Sequence, residues 1–272
     1  MGTPEENAAN AKLAIAAVQK QFGREAISLS SLSSEDAGDR VDAKFKSGSP
    51  ALDLALGIGG YPAGRIIEVY GPDRDANEAI ALHALAEAQQ VGGVCAFIDV
   101  EHAFNIKRAD MFAINVSKLL VSQPDTGDQA LDIAEVLARS GAVDLVVVDS
   151  VSCLASRAEI EGESYDSESG LRARLMSQAL RKLTAIAYRT GTTILFLRHL
   201  SASSSPIRSS DMAGGNALKF YASLRLDVKR RQEGCVIGPG VLVKVAKNKL
   251  APPFQQAEIP LSSLGVFLST EG

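Results

Sequence analysis

Acidic residues follow two apolar runs of the chain, in positions where they could serve nucleotide chemistry. The run AVDLVVVDS ends near Asp149, and the run CAFIDV carries Asp99, with Glu101 two residues further on. In nucleotide-binding sheets, a carboxylate at the carboxyl end of a strand holds the water shell of Mg²⁺. A second carboxylate could polarise a water molecule beside a γ-phosphate. The alternative is that both acids simply cap strand ends at the solvent.

A third segment, GPDRDANE, lies where a phosphate-binding loop is expected. It follows the apolar run IIEVY, and its first residue, Gly71, matches the consensus G-x-x-x-x-G-K-[ST]. The positions that should read Gly-Lys-Ser/Thr are Ala76, Asn77 and Glu78. Because the lysine neutralises phosphates and the hydroxyl binds Mg²⁺, this substitution argues against a working loop. The remaining candidate residues of this loop are Asp73, Arg74 and Asp75.

The acids of this segment add an electrostatic argument. A bound polyanion would face like charges from Asp73, Asp75 and Glu78. Each unit like-charge pair costs about 4 kcal/mol at ~4 Å and an effective dielectric near 20, and Arg74 offsets only one of them. Since micromolar binding totals only about 8 kcal/mol, the segment predicts that ATP and Mg²⁺ are not bound.

The elements around these residues alternate between strands and helices. From about residue 45, short apolar runs are separated by segments of helical periodicity, which predicts an α/β fold. Its sheet should be mostly parallel, twisted and covered by helices on both faces. The last two runs, ASLRLDVKRR and GVLVKVAKNK, predict an antiparallel extension. We expect a core domain over residues 45–272, preceded by an N-terminal helix and linker over residues 1–44.

The N-terminal segment predicts a helical arm. Ile15, Val18 and Phe22 recur at helical spacing, and Gly23 ends the pattern. The Ser- and Asp-rich stretch that follows is typical of a linker, so the helix could dock on a neighbouring molecule. The simpler alternative is a helix that packs on its own domain.

Composition excludes several classes of protein. The formal net charge is −4, so any nucleic-acid site must be a local patch. No run approaches the ~18 apolar residues of a membrane span, and the polar N-terminus is unlike a signal peptide. The 3 cysteines predict buried free thiols, and the 3 histidines show no metal-ligand spacing. No metal site is predicted, and a cytoplasmic location is expected.

Several segments resemble the bacterial RecA recombinase family across nearly the whole chain. They include VQKQFGREAI, IGGYPAGRIIEVYGP, CAFIDVEHA, VDLVVVDSV, GGNALKFYAS and VAKNKLAPPFQQAE. The resemblance implies a RecA-like P-loop NTPase core that forms ATP-dependent filaments on single-stranded DNA and drives homologous pairing. It also implies that the N-terminal helix docks on the next protomer. The family's C-terminal domain is expected to be absent after Gly272.

The resemblance identifies further departures in the nucleotide site. The family carries an Asp and a Tyr that sandwich the adenine where this chain has Asn105 and Arg108, and a γ-phosphate-sensing Gln where it has His199. Glu101 aligns with the family's water-activating Glu, and Asp149 is kept. With three parts of one site changed, we expect a pseudo-ATPase that is not an enzyme and takes no cofactor, with Glu101, Asp149 and His199 as vestiges.

The resemblance also implies two loops that contact single-stranded DNA. Three residues match phosphate contacts of the first loop and share one helix face: Arg174, Ser177 and Arg181. The second loop, LSASSSPIRSSDMAGGNALKF, offers backbone N–H groups, a cation and an apolar wedge. The residues expected at DNA are Arg172, Arg174, Ser177, Arg181, Ile207, Arg208, Gly214, Gly215 and Asn216. The alternative is that these arginines form only a solvated helix face.

Contacts between protomers are implied as well. Phe220 matches an interface aromatic of the family, and Lys247 and Lys249 match the pair that reaches the neighbour's ATP. Since we expect no ATP, these lysines should meet Asp75 or Glu78 of the neighbour instead.

The function expected from the sequence is that of a non-hydrolysing RecA-like protein in DNA recombination or repair, linked to DNA damage and the SOS response. It would bind single-stranded DNA and form a filament, alone or with an active recombinase, in the cytoplasm at the nucleoid. One alternative is a protein-interaction subunit, such as an accessory of a translesion polymerase complex, without DNA binding of its own. The other is a chain that holds ATP through the neighbour's lysines and hydrolyses it slowly or not at all.

Overall fold

The computed structural model describes residues 43–154, 168–200, 215–231 and 240–260, together with helical residues 12, 13, 16, 17, 20 and 21. Residues 168–172 and 215 are described by their backbone alone. The chain divides into two compact units, residues 1–40 and 41–272. The apolar positions predicted for the arm, Ile15, Val18 and Phe22, lie outside the described residues. The domain limits at residues 44 and 45 stay a prediction.

The second unit alternates strands and helices along the chain. Its elements are β1 (Ala43–Phe45), α1 (Pro50–Leu56), β2 (Tyr61–Pro62), β3 (Ile66–Gly71), α2 (Arg74–Gln90), β4 (Cys95–Asp99), α3 (Ile106–Met111), β5 (Leu119–Ser122), α4 (Gly127–Arg139), β6 (Leu145–Asp149), α5 (Glu168–Thr190), β7 (Thr193–His199), α6 (Gly215–Tyr221), β8 (Leu224–Arg230), β9 (Gly240–Asn248) and β10 (Gln256–Pro260). In this described part of the chain, no helix has the length and apolarity that a membrane crossing requires.

Eight of the strands form one mixed sheet, in the order β10-β9-β8-β3-β7-β6-β4-β5. The strands from β8 to β5 in this order run parallel to their neighbours, whereas β9 and β10 are antiparallel. The predicted α/β fold with a mostly parallel sheet and an antiparallel extension is therefore confirmed. The sequence patterns do not predict β10 or the small antiparallel ribbon of β1 and β2.

Both faces of the central strands are buried, because helices cover each side. Ile67 and Val69 on β3 pack into the layer that contains the apolar residues of α2. Their neighbour Ile66 points into the opposite layer, with apolar residues of α4, α5 and α6. This alternation explains why the strands read as continuous apolar runs. It also leaves the strand ends as the place where polar side chains collect.

One charged cluster nevertheless lies inside the sheet. Glu68 on β3 is completely buried, and its carboxylate pairs with the Nε atoms of Arg198 on β7, at 2.7 Å, and Arg225 on β8. The two guanidinium carbons lie 5.0 and 4.6 Å from the centre of the Tyr70 ring. A buried carboxylate is tolerated only when cations and hydrogen bonds compensate it, so the three charged side chains depend on one another.

We predict that Glu68→Gln lowers the free energy of unfolding by about 3–5 kcal/mol, because the buried Arg198 and the partly buried Arg225 would face a neutral amide. The urea midpoint of the variant against that of the unchanged chain measures this loss. Glu135→Gln is the matched control, since Glu135 pairs with Arg139 at the surface of α4 and should change stability by less than about 1 kcal/mol. Equal effects of the two substitutions would contradict the prediction.

Candidate functional site

The carboxyl ends of four adjacent strands form one edge of the sheet. β3 ends at Gly71, β7 at His199, β6 at Asp149 and β4 at Asp99, and these strands are neighbours in the order β3-β7-β6-β4. Gly71 lies opposite His199 in register, as Asp99 lies opposite Asp149. Ligands of open α/β sheets bind outside the carboxyl ends of parallel strands. We call this region the strand-end site.

The first turn of α2 is capped by a carboxylate. Asp73 is the N-cap residue of α2, and its Oδ1 accepts a hydrogen bond of 3.0 Å from the Ala76 backbone N–H. Its Oδ2 pairs with the Arg230 side chain at the end of β8. A carboxylate is stabilised at a helix N-terminus by the exposed N–H groups and the helix dipole. The chain thus supplies its own anion at the end of the helix where a phosphate would bind.

Asn77 occupies the position where a phosphate-binding loop carries lysine, and it is completely buried. Its Nδ2 donates a hydrogen bond of 3.0 Å to the Gly71 carbonyl oxygen and lies 3.3 Å from Nδ1 of His199. Gly71 itself leaves no room for a side chain, since a Cβ there would lie 2.0 Å from the Val228 carbonyl oxygen. The side-chain amide of Asn77 therefore points into the protein, toward the carboxyl ends of β3 and β7.

Arg108 pairs with two acids in the first turns of α2. Its Nη1 lies 2.9 Å from Asp75 Oδ1 and 2.8 Å from Glu78 Oε2, and its Nη2 donates to the Asp75 carbonyl oxygen at 3.0 Å. Asn105 caps α3 by accepting a hydrogen bond from the Arg108 backbone N–H. Burial raises the pKa of Glu78 despite the opposing charge of Arg108. The residues that replace the family's adenine platform thus serve α3 and the acids of α2.

Glu101 lies at the centre of a second cluster. Its Oε1 accepts hydrogen bonds from Ser150 Oγ and, at 3.3 Å, from Cys153 Sγ, while Oε2 pairs with Arg74. Burial favours a raised pKa, but the hydrogen bonds from Ser150 and Cys153 and the charge of Arg74 outweigh it and lower the pKa of Glu101. Burial and the neighbouring Glu101 raise the pKa of the Cys153 thiol.

His199 connects this cluster to Asp149. Its Nε2 lies 3.1 Å from Asp149 Oδ1 and 3.7 Å from Glu101 Oε1. Because the Asn77 amide directs a donor at Nδ1, the hydrogen-bond network assigns the ring proton to Nε2, which donates to Asp149. Asp99 points elsewhere, since its carboxylate accepts hydrogen bonds of 3.0 Å from the backbone N–H groups of residues 103 and 104.

The residues expected at DNA lie on α5 and α6 where they are described. Arg174 and Arg181 are exposed on α5, and Asn216 is exposed near the start of α6. Ser177 is half-buried, and its Oγ donates to the Ala173 carbonyl oxygen at 2.8 Å. Arg172 and Gly215 belong to the backbones of α5 and α6, whereas Ile207, Arg208 and Gly214 lie outside the described residues. Their contact with DNA stays a prediction.

The predicted interface residues are placed only in part. Phe220 on α6 is 77% exposed, and the Lys247 ammonium donates to the carbonyl oxygens of Lys219 at 2.6 Å and of Phe220 at 3.0 Å. Lys249 donates its backbone N–H to the carbonyl oxygen of residue 223. Contacts of these residues with a neighbour stay a prediction.

Three residues of the site were not predicted from the sequence. Ser150 and Cys153 contact Glu101, and Arg230 pairs with Asp73. The signal for Ser150 was its place directly after Asp149. Arg230 is separated from Asp73 by most of the chain, so spacing offers no signal for it. Cys153 was expected to be buried but is exposed, whereas Cys95 is buried as expected.

Comparison with known proteins places the chain among RecA proteins. The family model described as the RecA N-terminal domain matches residues 9–265. Protein RecA of Campylobacter fetus is 48% identical over 267 residues, which cover 96% of this chain and 76% of that protein. Protein RecA of Geobacter metallireducens is 49% identical over 256 residues (92% and 75%). Protein RecA of Campylobacter jejuni is 54% identical over 233 residues (83% and 68%).

These comparisons contradict two predictions from the sequence. The prediction of a protein that is not an enzyme is wrong, because the relatives at about 50% identity are named RecA, a DNA-dependent ATPase. The prediction of no cofactor is wrong as well, because RecA proteins bind ATP with Mg²⁺. The predicted repulsion of a polyanion was too large, because Asp73, Asp75 and Glu78 are all paired with arginines. In the fold, Arg230 pairs with Asp73, and Asp75 and Glu78 share the single charge of Arg108.

The residues of segment 71–78 do not fit the family's way of holding Mg²⁺ and a triphosphate. The Asp73 carboxylate caps the helix end, and Asn77 directs its amide at Gly71 and His199. Glu78 stands at the position of the hydroxyl ligand and is paired with Arg108. Pairing of the acids with arginines reduces their repulsion of a triphosphate. It does not supply the lysine and the hydroxyl that the family uses to hold phosphate and Mg²⁺.

We predict that Arg108→Ala destabilises the fold at pH 7.5 by about 1–3 kcal/mol, because Glu78 would lose its cation in a half-buried position. A carboxyl whose folded pKa is raised favours the folded state as it gains a proton. The loss should therefore be largest above the folded pKa of Glu78 and shrink as pH falls toward 5. Thermal unfolding at both pH values measures it. Arg139→Ala, at the surface pair with Glu135, should show no such recovery, and a parallel pH response of the two variants would contradict the prediction.

The family model spans most of the chain, and the identity with named relatives is close to one half over most of its length. The order of strands also gathers Glu101, Asp149 and His199 at the edge where the resemblance expects them. The chain belongs to the RecA family of DNA recombination and repair proteins.

Proposed function

We propose that this chain binds single-stranded DNA along α5 and assembles with copies of itself during DNA recombination or repair. The observation that carries the proposal is the placement of Arg174 and Arg181 on one exposed face of a long, anchored helix. Membership of the RecA family supports the same function. A cytoplasmic location at the nucleoid goes with it.

The anchoring of α5 makes its exposed face a rigid platform. Met176, Leu180 and Leu183 are fully buried and pack α5 against the sheet and α4. Arg174 and Arg181 lie seven residues apart, which is about two turns or roughly 10 Å along the axis. Two cations held at such a spacing can contact the backbone of one strand without reading its bases.

Self-assembly is supported by the exposed aromatic of α6. Phe220 projects from a helix that packs on α5, and the Lys247 ammonium holds the carbonyl oxygens at the end of that helix. A single exposed aromatic is common on protein surfaces. Its position in a segment that resembles the family's interface makes Phe220 the residue to test, with Lys247 and Lys249 in the same proposed interface.

The translesion-accessory alternative requires a partner protein in place of DNA. No specific contact, charge or cavity among the described residues favours a polymerase over DNA. Salt-dependent DNA binding separates the two, because neutralised phosphates release counterions in proportion to the number of contacts.

We predict that the double substitution Arg174→Ala and Arg181→Ala weakens binding to an oligothymidine strand at least tenfold. It should also reduce the steepness of log Kobs against log salt by about 1.4, since each contact with a single strand contributes about 0.7. Fluorescence anisotropy between 50 and 200 mM salt measures both, with and without ATP and Mg²⁺. The control is Arg139→Ala with Arg189→Ala, which removes the same charge from exposed positions on α4 and α5.

The control variant should bind like the unchanged chain. If the unchanged chain shows no salt-dependent binding under any of these conditions, the DNA proposal is wrong and the interaction-subunit alternative is favoured. If the two double variants lose affinity equally, the effect is one of net charge and α5 is not the site.

We predict that Phe220→Ala shifts the chain toward smaller species in light scattering at equal concentration. The reason is that a side chain 77% exposed in the single chain would be buried between copies. Tyr188→Ala removes an aromatic that is 68% exposed on α5 and should leave the mass distribution unchanged. A Phe220 variant with the mass distribution of the unchanged chain would contradict this interface.

A further inference from the structure

Three side chains bring metal-binding atoms together at the strand-end site. The donor atoms of Glu101, Asp149 and His199 all lie within 4.8 Å of one another. His199 Nε2 is 3.1 Å from Asp149 Oδ1 and 3.7 Å from Glu101 Oε1. Ligands at about 2.0–2.1 Å from a tetrahedral ion lie roughly 3.3 Å from each other. An ion between the three donors would therefore need only small side-chain movements.

We propose that Glu101, Asp149 and His199 bind a divalent first-row transition-metal ion directly, independently of nucleotide and DNA. One imidazole and two carboxylates form a mixed donor set that suits Zn²⁺ or Mn²⁺. Mg²⁺ prefers oxygen ligands and keeps several waters, so the imidazole of His199 distinguishes this site from one for nucleotide-bound magnesium. The side chains are only 6%, 10% and 11% exposed for Glu101, Asp149 and His199, which shields the ion from bulk water.

Asn77 supplies an independent indication of a ligand at this place. It is completely buried, and its Oδ1 has no hydrogen-bond partner among the described residues. A metal ion on Nε2 of His199 requires the ring proton on Nδ1, where an acceptor normally holds it. At present Asn77 Nδ2 lies 3.3 Å from His199 Nδ1. A half-turn of the Asn77 amide exchanges Nδ2 and Oδ1 and so turns the oxygen toward His199 Nδ1.

The half-turn does not leave the Gly71 carbonyl oxygen without a donor. That oxygen gives up the hydrogen bond from Asn77 Nδ2 and keeps the one from the Leu200 backbone N–H, at 3.0 Å, but the half-turn sets Asn77 Oδ1 against it, so the Asn77 side chain must also move away from Gly71. Asn77 is therefore a positioning residue, which selects the ring tautomer of His199 without contacting the ion.

Arg74 is the group with which a metal ion must compete. Its guanidinium pairs with Oε2 of Glu101, while its side chain remains 59% exposed. It can leave toward the solvent when a cation takes its place at the carboxylate. Removal of the Arg74 charge should therefore strengthen metal binding, whereas removal of a ligand should weaken it.

The test is calorimetric titration of the full chain with ZnCl₂ and with MnCl₂, after chelator treatment and without nucleotide or DNA. We expect one ion per chain. His199→Gln should weaken binding at least about 100-fold, because one of three protein ligands is lost. Asn77→Leu should weaken it about 10–100-fold, as loss of a partner that orients a ligand does. Arg74→Gln should tighten it about two- to fivefold, the value of an exposed ion pair.

The matched control is His102→Asn, which removes an exposed histidine one residue from Glu101 and keeps a residue tolerant of the positive φ of 54° found there. It should bind metal like the unchanged chain. Circular dichroism checks folding, and saturating metal should raise the Tm of the control but not of His199→Gln. If His199→Gln fails to fold, Asp149→Asn replaces it as the variant that lacks a ligand.

Three outcomes would overturn the proposal. The first is no saturable binding of either ion by the unchanged chain. The second is equal affinity of the His199 and His102 variants, which would indicate adventitious histidine binding. The third is binding only when ATP is added, since the nucleotide would then carry the ion. None of these outcomes bears on DNA binding by α5, so the two proposals fail separately.

Discussion

The burial of the parallel sheet on both faces is the constraint on which the rest of the structure depends. Strands enclosed by α2 on one side and by α4, α5 and α6 on the other can carry charge only where it is compensated or at their ends. Glu68 is the compensated exception, held by Arg198 and Arg225. The acidic and imidazole side chains of β4, β6 and β7 lie at the carboxyl edge, where Asp149 and His199 end adjacent strands. Chemistry is thereby confined to one edge.

At that edge, departures from the family pattern that look independent along the chain are physically coupled. Arg108, at the family's adenine position, pairs with both Asp75 and Glu78 in the first turns of α2. In the same way, Asn77 at the lysine position meets His199 at the glutamine position. Asn77, Glu78, Arg108 and His199, which depart from the family pattern, each have a side-chain partner within the chain. The altered residues therefore form a compensated set, which explains why acids there do not act as unpaired charges.

Membership of the RecA family and the altered residues at the carboxyl edge of the sheet bear on different properties of the chain. Identity of about one half with named relatives concerns the whole chain and its fold, so it overturns a conclusion about enzymatic class drawn from one segment. The geometry of residues 71–78 concerns which groups can be held there. The proposed DNA face on α5 does not depend on residues 71–78, because its arginines lie on a separate helix that Met176 and Leu180 pack onto the core.

The sequence by itself determined the α/β class, the parallel strands and their acidic ends, because hydrophobic periodicity and apolar runs are local properties of the chain. It also located Glu101, Asp149 and His199 one by one. It did not reveal β10, whose short exposed-and-buried alternation is a weak signal, or the pairing of Asp73 with Arg230. Only the tertiary structure decided that the three candidates meet within 4.8 Å. The physical reason is that strand order, set by packing across the whole sheet, brings together residues that lie far apart along the chain and share no spacing.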